Sequence, residues 1–328
     1  MPCIRSPASG RWHPDVGPFP SFPVDEPRRG CSVPGMTQTR LPPWIRRSLT
    51  TDQGFTKVHK LVDVLRLHTV CEEARCPNRH ECWNAGTATV MILGDTCTRS
   101  CGFCSVKSGR PQGLDTDEPR RVAAAAKGMA LKHLVLTSVN RDDLADGGSG
   151  IFAETIRRIR EALPECNVEV LTPDFEGVED SIARVLRAGP AVFSHNLETV
   201  RRLQAVIRPQ ANYGRSLGVL RLASEWRDPQ VAVKSGIMVG LGETEEEVVE
   251  TLRDLYDSGV RIVTIGQYLR PDKMLHEVKR YVEPAEFERY AAAAREIGFD
   301  GVASGWNVRS SYKSEELYAA ALAGRAGA

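Results

Sequence analysis

The sequence predicts an α/β fold built on a parallel sheet, and two observations support this prediction. Six short apolar runs rich in β-branched residues recur between residues 87 and 267, and longer amphipathic stretches separate them. Strands that alternate with helices form parallel sheets, and near-continuous apolar strands fit a sheet that is buried on both faces. A barrel and an open doubly wound sheet both satisfy this pattern.

The predicted elements follow one another in a regular order. The apolar residues of "KVHKLVDVLRLH" recur at helical spacing and predict a helix over residues 57–68. The predicted strands lie at residues 87–93, 133–138, 168–172, 191–195, 233–240 and 261–267. The predicted helices lie at residues 119–131, 150–163, 177–188, 197–206, 213–226, 244–258 and 284–297, and "SEELYAAALAG" predicts a last one.

Polar and glycine-bearing segments follow several of the predicted strands. These segments are "TSVNRDDLADGG", "TPDFEG", "SHNLET" and "VGLGETEEE". Active sites of parallel α/β folds gather at the carboxyl ends of the strands, so we expect the site where these segments meet.

The composition is that of an ordinary globular protein. The 328 residues are 41% hydrophobic and 26% charged, which is sufficient for a full core. A formal net charge of +1 argues against a nucleic acid or a membrane as partner, and no apolar run is long enough to cross a bilayer. Because the first residues contain no apolar segment of a secretory signal, we expect a cytoplasmic protein.

Residues 1–40 differ from the rest of the chain. They are rich in Pro, Gly, Arg and Ser and lack apolar periodicity, so we predict a disordered N-terminal tail. Met36 is an alternative start, because ordered-looking sequence begins soon after it. Cys3 and Cys31 lie in this tail, and we interpret them as incidental thiols.

Six of the nine cysteines lie between residues 71 and 104, in two groups of three. Clustered cysteines in a long chain indicate a metal site in a reducing compartment. In "GDTCTRSCGFCSV", the spacing of Cys97, Cys101 and Cys104 would also suit a buried helix face, but the polar and glycine neighbours favour a loop. A structural zinc site takes four ligands, whereas three thiolates on a four-iron cluster leave one iron open to a small ligand.

The segment "CTRSCGFC" resembles the cluster motif of the radical S-adenosylmethionine (SAM) superfamily. The resemblance implies that the open iron chelates the amino and carboxylate groups of SAM. It also implies that an electron from the cluster cleaves SAM to methionine and a 5′-deoxyadenosyl radical, which abstracts hydrogen from unactivated carbon. The segment "GIMVGLGE" is similar to the glycine-rich strand and loop near the adenine in that superfamily.

The first cysteine group narrows the resemblance from the superfamily to one family within it. The segment "CEEARCPNRHEC", with Cys71, Cys76 and Cys82, resembles the auxiliary-cluster motif of the lipoyl synthase family. Matching segments extend over nearly the whole chain after residue 40, among them "PPW", "MILGDTCTR", "TSVNRDDLADGG", "VLTPDF", "HNLETV", "TIGQYL" and "RSSY".

The resemblance implies a partial (β/α)6 barrel of the TIM type, as in radical SAM enzymes. An N-terminal arm with the auxiliary-cluster cysteines spans residues 41–86, the barrel core spans 87–283, and a C-terminal closing segment spans 284–328. In this family a serine of the Arg-Ser-Ser-Tyr motif is the fourth ligand of the auxiliary cluster. We assign Ser311 to this role, with Ser310 as the alternative, and we predict that Ser314 caps the last helix.

The implied activity is the radical insertion of two sulfur atoms at C6 and C8 of a protein-bound octanoyl-lysine. The implied cofactors are SAM and two [4Fe-4S] clusters, one that cleaves SAM and one that donates sulfur. The implied protein substrates are octanoylated lipoyl domains of 2-oxo acid dehydrogenase acyltransferase subunits and of the glycine cleavage H protein. A flavodoxin or ferredoxin is expected as electron donor, and an iron–sulfur carrier is expected for cluster repair.

Five residues are candidates for contacts with SAM: Thr137, Ser138, Asn196, Arg208 and Gly240. For the two strand-end hydroxyls and the asparagine, the alternative is ordinary hydrogen bonding to the backbone or a helix cap. Arginine suits bidentate recognition of a carboxylate, and a surface salt bridge is the alternative for it.

Other polar residues have simpler interpretations. Residues 141–143, "RDD", form a charge run that either caps a helix or contacts the substrate. We interpret His195 as a satisfied buried histidine, because hydrogen abstraction by a radical needs no general base. Cys166 is interpreted as a core thiol, and Trp83 is expected to pack beside the auxiliary cluster.

Two other functions are alternatives to that of the lipoyl synthase family. Another sulfur-inserting radical SAM enzyme, such as a biotin synthase-like or methylthio-transferring protein, is disfavoured by the RSSY motif and the spacing of the first cysteine group. A zinc-binding or cluster-scaffold protein is disfavoured by the alternation of strands and helices. Trp306, Asn307 and "PDKMLHEV" depart from the family pattern, and this departure bears on fine specificity.

Overall fold

The computed structural model describes residues 41–45, 53–65, 67–73, 76, 78–84, 87–226, 228 and 230–326. The predicted tail of residues 1–40, with Met36, lies outside these described residues. The strands are β1 (His68–Thr69), β2 (Thr87–Ile92), β3 (Thr96–Cys97), β4 (Lys107–Ser108), β5 (His133–Ser138), β6 (Asn167–Leu171), β7 (Val192–Ser194), β8 (Ala232–Val239), β9 (Ile262–Gln267) and β10 (Gly301–Gly305).

Eight of these strands form one sheet, in the order β1-β2-β5-β6-β7-β8-β9-β10. All neighbours from β2 onward are parallel, and β1 is antiparallel to β2 at the edge. Strands that follow one another in chain order, without reversal, match a TIM-type barrel and exclude a doubly wound sheet. No pairing joins β1 to β10 within the described part of the chain, so the barrel is partial.

Helices connect the strands, and those between successive barrel strands cover the outside of the barrel, whereas α11 packs at its floor. They are α1 (Gln53–Val64), α2 (Val70–Glu73), α3 (Arg79–Asn84), α4 (Glu118–Met129), α5 (Ser149–Ala162), α6 (Glu179–Arg187), α7 (Gln204–Ile207), α8 (Tyr213–Ser224), α9 (Glu245–Asp257), α10 (Pro284–Ile297) and α11 (Ser314–Ala326). Outward strand residues such as Leu134 and Leu136 pack with helix residues such as Phe152 and Ile156 in one apolar core. Among the described residues, no helix has the length and apolar character needed to cross a membrane.

The predicted α/β barrel is confirmed, and the short strands β1, β3 and β4 and the short helices α2 and α3 add to the predicted elements. Two further differences concern the barrel itself. Strand β10 was not predicted, because "GVASG" consists of small residues that are typical of a loop. The helix predicted at residues 197–206 is reduced to a 3₁₀ turn (Arg201–Leu203) and α7. The reason is that the chain after β7 continues along β8, where His195 N donates to Lys234 O at 3.1 Å and Glu198 N donates to Gly236 O at 3.0 Å.

The inner face of the barrel is filled from below by α11. At the amino ends of β7, β8 and β9, three strand residues pack on two residues of α11: Val192, Ala232, Ile262, Leu317 and Ala321. Two residues further along β8, on the same face, Lys234 meets the start of α11 at Ser314. This arrangement closes the floor of the barrel and leaves the opposite end for the site.

The C-terminal segment also crosses the inner face of β9. A Cβ atom at Gly266 would lie 2.2 Å from Val308 O, so only glycine permits this close approach. The segment of residues 306–313 therefore enters the barrel from the carboxyl ends of the strands before α11 begins.

Candidate active site

The loop of residues 97–104, which carries the second cysteine group, lies at the carboxyl ends of the strands. We call it the SAM loop, after the cofactor that its sequence motif implies. Its backbone is held at two points: Thr98 N donates to Asn140 O after β5 at 3.1 Å, and Gly102 N donates to Ile207 O at the end of α7 at 2.8 Å. The loop is thus fixed by the barrel rather than by its own secondary structure.

A buried arginine inside the SAM loop binds two strand ends. Arg99 donates to both carboxylate oxygens of Asp142 at 2.8 and 2.7 Å, and its Nη2 donates to Asp174 Oδ1 at 2.8 Å. The side chain of Arg99 is 4% exposed and that of Asp174 is 0% exposed. Burial alone would raise the pKa of Asp174, but the hydrogen bond and charge of Arg99 outweigh it and lower that pKa. The carboxylates of the "RDD" charge run are therefore taken by ion pairs, Asp142 with Arg99 and Asp143 with Arg141.

The three thiols of the SAM loop are half-buried and lie close enough to influence one another. Cys97 Sγ accepts hydrogen bonds from Arg99 N at 3.4 Å and Asn140 N at 3.3 Å. Burial raises the pKa of the Cys104 thiol to about 12, and the charges of Cys101 and Cys97 contribute to the increase.

The number of these thiols bears on the kind of metal group that they fit. Within the described residues, no three His, Cys, Asp or Glu side chains converge as ligands of a single metal ion. A structural zinc site takes four protein ligands, whereas three thiolates on a four-iron cluster leave one iron open to a small ligand. Three cysteines on one loop are the donor set that such a cluster takes.

Glu198, which the sequence analysis did not single out, lies beside the SAM loop. Burial raises the pKa of the Cys101 thiol; Arg208 opposes this increase and Glu198 adds to it. Burial also raises the pKa of Glu198, against the charge of Arg208 and a hydrogen bond from Asn196. Glu198 has a φ of 69°, a left-handed conformation that is uncommon for glutamate. Its position two residues after a strand-end asparagine was the available signal in the sequence.

Three polar atoms at this edge of the barrel are buried without a hydrogen-bond partner: Ser138 Oγ, Asn196 Oδ1 and Arg208 Nε. Arg208 Nη1 donates to two backbone carbonyls after β7 at 3.1 and 3.2 Å, and Thr137 Oγ1 donates to a carbonyl of β6 at 3.0 Å. Buried polar atoms without a partner are rare in native proteins. This group of atoms fits a polar ligand that is bound at the ends of β5 and β7.

The glycine loop after β8 is shaped by a buried carboxylate. Glu243 accepts hydrogen bonds from Gly240 N at 2.6 Å and from Leu241 N at 2.9 Å. Gly240 has a φ of 95°, and a Cβ atom there would lie 2.2 Å from Gln267 Nε2 and 2.6 Å from Arg280 O. Backbone conformation and packing therefore require glycine at this position, and its contact with SAM stays a prediction.

The structure places His195 and Cys166 in the core, as expected. His195 Nδ1 lies 2.9 Å from Thr172 O, and its Nε2 lies 2.9 Å from Ser216 Oγ. Burial lowers the pKa of His195 to about 4, so the ring is neutral near pH 7. Burial raises the pKa of the Cys166 thiol to about 11. The predictions of a satisfied histidine and of a core thiol are confirmed.

The first cysteine group lies on two short helices beside the edge of the sheet. Cys71 belongs to α2 and Cys82 to α3, and Cys76 N donates to Cys71 O at 3.1 Å. Burial raises the pKa of the Cys71 thiol and the Cys76 thiol raises it further, whereas hydrogen bonds from Thr89 and Trp83 lower it. Trp83 is 1% exposed and packs beside this group, as predicted.

The C-terminal segment lies against the helices that carry the first cysteine group. Asn78 Nδ2 donates to Asn307 O at 2.6 Å, and Tyr312 Oη donates to Glu81 Oε1 at 3.1 Å. These two contacts join residues that are 229 and 231 positions apart. Asn307, a departure from the family pattern, thus contributes its backbone to this junction. The two serines of the RSSY motif are half-buried beside it.

Comparison with known proteins identifies the family. Residues 91–255 match the model of the radical SAM superfamily, and residues 29–76 match that of the N-terminal domain of lipoyl synthase of the radical SAM family. The lipoyl synthase of Rubrobacter xylanophilus is 56% identical over 315 residues, which cover 96% of this chain and 95% of that protein. The chain belongs to the lipoyl synthase family.

Further relatives and solved structures agree with this assignment. The lipoyl synthase of Symbiobacterium thermophilum is 54% identical, with coverage of 95% of this chain and 96% of that protein. The mitochondrial lipoyl synthase of Nematostella vectensis is 51% identical over 84% of this chain and 94% of its own. The FeFe-hydrogenase maturase HydG from Carboxydothermus hydrogenoformans superimposes with a TM-score of 0.53 at 13% identity, over 83% of this chain and 75% of that one, which shows the fold alone.

Membership in the family defines the reaction. The chain is a radical SAM sulfurtransferase that inserts two sulfur atoms at C6 and C8 of an octanoyl-lysine carried by a lipoyl domain. SAM and a [4Fe-4S] cluster are its cofactors.

Proposed function

We propose that the two cysteine groups hold two separate [4Fe-4S] clusters with different tasks. The ligands of the SAM-binding cluster are Cys97, Cys101 and Cys104. The ligands of the second cluster, which supplies the sulfur atoms, are Cys71, Cys76, Cys82 and Ser311.

The junction between the C-terminal segment and the arm is the observation that carries this proposal. The three cysteines on α2, α3 and the intervening turn supply three of the four ligands that a [4Fe-4S] cluster takes. The Asn78 and Tyr312 contacts hold the RSSY motif against the helix that carries Cys82. A serine oxygen is a harder ligand than a thiolate and binds iron more weakly, which suits a cluster that gives up its sulfur.

The buried polar atoms at the ends of β5 and β7 are proposed to bind SAM. Glu198 accepts hydrogen bonds from the ribose hydroxyls, as acidic side chains do in other nucleotide sites. Arg208 offers its free Nε to the SAM carboxylate, and Asn196 Oδ1 accepts from a donor of SAM. Ser138, with Thr137 before it, holds the methionyl group, and the Gly240 loop lies near the adenine.

The protein's part in the chemistry is to bind, orient and exclude water. When bound, the cluster and SAM supply the one-electron chemistry that removes hydrogen from unactivated carbon. Arg99 and its two carboxylates keep the SAM loop in one position on the barrel. The C-terminal segment and α11 fill the rest of the barrel and keep solvent away from the reacting carbon.

A cavity of about 540 Å³ lies beside the SAM loop and the helix that carries Cys71, and it is proposed to admit the octanoyl-lysine arm. Its walls are Glu72 and Glu73 of α2, Cys104 of the SAM loop with Ser105 after it, and Pro271, Asp272, Met274 and Leu275 after β9. His276 N donates to Gly102 O at 2.7 Å, which fixes the last wall to the SAM loop. An acyl chain in this cavity would lie against Cys104 and against the helix that carries Cys71.

The remaining partners follow from the chemistry. A low-potential flavodoxin or ferredoxin supplies electrons, and an iron–sulfur carrier rebuilds the second cluster after its sulfur is used. The octanoylated domains come from 2-oxo acid dehydrogenase acyltransferase subunits or the glycine cleavage H protein. The described cysteines are all free thiols, which suits the reducing cytoplasm proposed as the site of action.

Iron and sulfide content after anaerobic reconstitution tests the proposal. We expect about eight irons in the wild type and about four in a Cys71→Ala, Cys76→Ala, Cys82→Ala variant, since each cluster contains four. The variant should still cleave SAM but form no lipoyl product from an octanoylated lipoyl domain. Four irons or fewer in the fully reconstituted wild type would overturn the two-cluster assignment, and zinc without iron would overturn the radical mechanism.

The serine ligand is tested by a matched pair. Ser311→Ala should abolish lipoyl product and leave SAM cleavage intact, whereas Ser310→Ala should keep both. The reverse result would transfer the ligand assignment to Ser310, and full activity in both variants would exclude a serine ligand.

A further inference from the structure

The inner face of the barrel contains a buried charge cluster that the proposed chemistry does not use. Lys234 Nζ donates to Glu169 Oε1 and Oε2 at 2.9 and 3.2 Å, and to Ser314 Oγ at 3.0 Å. His133 Nε2 lies 3.3 Å from Glu169 Oε2. All four residues are at most 1% exposed, so this cluster is sealed from solvent.

Packing alone does not require an ion pair at this position, because apolar side chains could fill the same space. The layer directly below it is apolar, since Val192, Ala232 and Ile262 face Leu317 and Ala321 there. A buried ion pair can often be replaced by apolar residues without loss of stability, because desolvation offsets the attraction between the charges. A polar contact in such a layer does, however, define one relative position of the two elements, which an apolar contact does not.

The element that this cluster positions is the C-terminal segment. Glu169 and Lys234 belong to β6 and β8 of the barrel, whereas Ser314 is the first residue of α11. We predicted Ser314 as a helix cap; its hydroxyl oxygen instead accepts the hydrogen bond of a barrel lysine. Ser314 follows Ser311 by three residues, and Tyr312 N donates to Arg309 O at 2.8 Å, so the serines lie in a tight turn between two anchors.

We propose that Lys234, oriented by Glu169, is a positioning residue for the second cluster. Its hydrogen bond to Ser314 sets how far the C-terminal segment enters the barrel, and thereby places Ser311 opposite the first cysteine group. The inference rests on the proposed function, because it requires Ser311 to be a cluster ligand. The Asn78 and Tyr312 contacts fix the outer end of the segment, and Lys234 fixes the inner end.

The test uses the full chain with Cys97, Cys101 and Cys104 replaced by alanine, so that only the second cluster is present. In this parent, Ser314→Ala should increase the rate of iron loss to a ferrous chelator several-fold, because the segment that carries Ser311 loses its inner anchor. The electron paramagnetic resonance spectrum of its reduced cluster should change toward that of Ser311→Ala. Ser314→Thr, which keeps the hydroxyl, should behave like the parent.

A matched control separates this effect from loss of any buried hydroxyl. Ser194 Oγ is buried without a hydrogen-bond partner, and Ser194 pairs in register with Lys234. Ser194→Ala should therefore leave the spectrum and the iron loss unchanged. If Ser314→Ala does not fold, the neutral pair Lys234→Met with Glu169→Gln is measured instead, with the same result expected.

The outcomes distinguish the inference from the proposal on which it rests. A parent protein that binds no iron would reject the second cluster itself. A parent with four irons, together with a Ser314→Ala or Lys234→Met/Glu169→Gln variant identical to it in spectrum and iron loss, would reject only the role of Lys234.

Discussion

The two cysteine groups are held in opposite ways. The SAM loop is fixed from within the barrel, by a buried arginine between two carboxylates and by backbone hydrogen bonds to neighbouring loops. The first cysteine group lies within residues 71–82, and the distant C-terminal segment packs against it through contacts of Asn307 and Tyr312 with Asn78 and Glu81. Glu81 is exposed, whereas Arg99 and Asp174 are not.

This difference matches the two tasks in the proposed function. A cluster that cleaves SAM at every turnover needs a constant geometry, and buried charge pairs supply one. A cluster that gives up its sulfur needs ligands that can release iron and be rebuilt. A site closed by a few long-range contacts near the surface opens at a smaller cost in free energy than one embedded in the barrel.

The largest expected effect is on the stability of the barrel around the SAM loop. Arg99→Gln leaves Asp174 buried with only the longer ion pair to Arg215, at 3.3 Å, among the described residues, so we expect a loss of about 1.5–3 kcal/mol in the free energy of unfolding. In a Cys71→Ala, Cys76→Ala, Cys82→Ala background, where the remaining iron belongs to the SAM loop, the variant should lose most of that iron. Urea unfolding and iron analysis measure both effects.

Arg120→Gln is the matched control for this prediction. Arg120 pairs with Asp117 at 2.7 Å on the surface of α4, where solvent screens the attraction and an ion pair contributes little to stability. If the two arginine variants unfold at the same urea concentration and retain the same iron, the SAM loop does not depend on the buried network.

A smaller effect is expected at the junction of the arm. Asn78→Ala removes the hydrogen bond to Asn307 O and should cost about 1–2 kcal/mol. Lipoyl product should fall several-fold more than SAM cleavage, because only the second cluster depends on this contact. The ratio of product to methionine formed in one assay measures it; a parallel decline of the two would show that the junction supports the whole barrel.

The smallest expected effect is on the pH dependence of stability, and it again distinguishes the barrel from the junction of the arm. The pKa of His195 is lowered to about 4 when folded, so between pH 4 and about 6.5 the unfolded chain binds a proton that the folded chain does not. Stability is therefore lost as the pH falls through this range, by about 1 kcal/mol from pH 6 to pH 5 for this residue.

His195→Gln should remove that share of the pH dependence, and urea unfolding at pH 6 and pH 5 measures it. Tyr312→Phe, which removes the contacts of that hydroxyl with Glu81 and with Asn307 Nδ2, serves as the control and should keep the wild-type pH dependence. An unchanged slope in His195→Gln would show that the histidine is not held neutral by burial.

The sequence was sufficient for six strands of the barrel because apolar runs are local patterns. Apolar runs predicted six strands, whereas β10, made of small residues, has no apolar run to detect. The helix predicted after β7 failed because residues 195–198 hydrogen-bond to β8, a tertiary contact that overrides the local pattern.

The charged residues of the barrel could not be interpreted from the sequence in the same way. Arg99 meets Asp174 across 75 residues, and Lys234 meets Glu169 across 65. In the sequence each of these residues is an isolated charge, and isolated charged side chains usually face solvent. Glu198 was missed for a related reason, since its role depends on a left-handed backbone that brings it beside Cys101.

The placement of α11 inside the barrel has a consequence for biosynthesis. The buried carboxylate partners of the SAM loop are translated by residue 174 and its backbone anchor at Ile207 follows, all before strands β8 to β10. Residues 306–326 are translated after every strand of the barrel. The contacts of the C-terminal segment with Asn78 and Glu81 therefore cannot form until the last strand has been made.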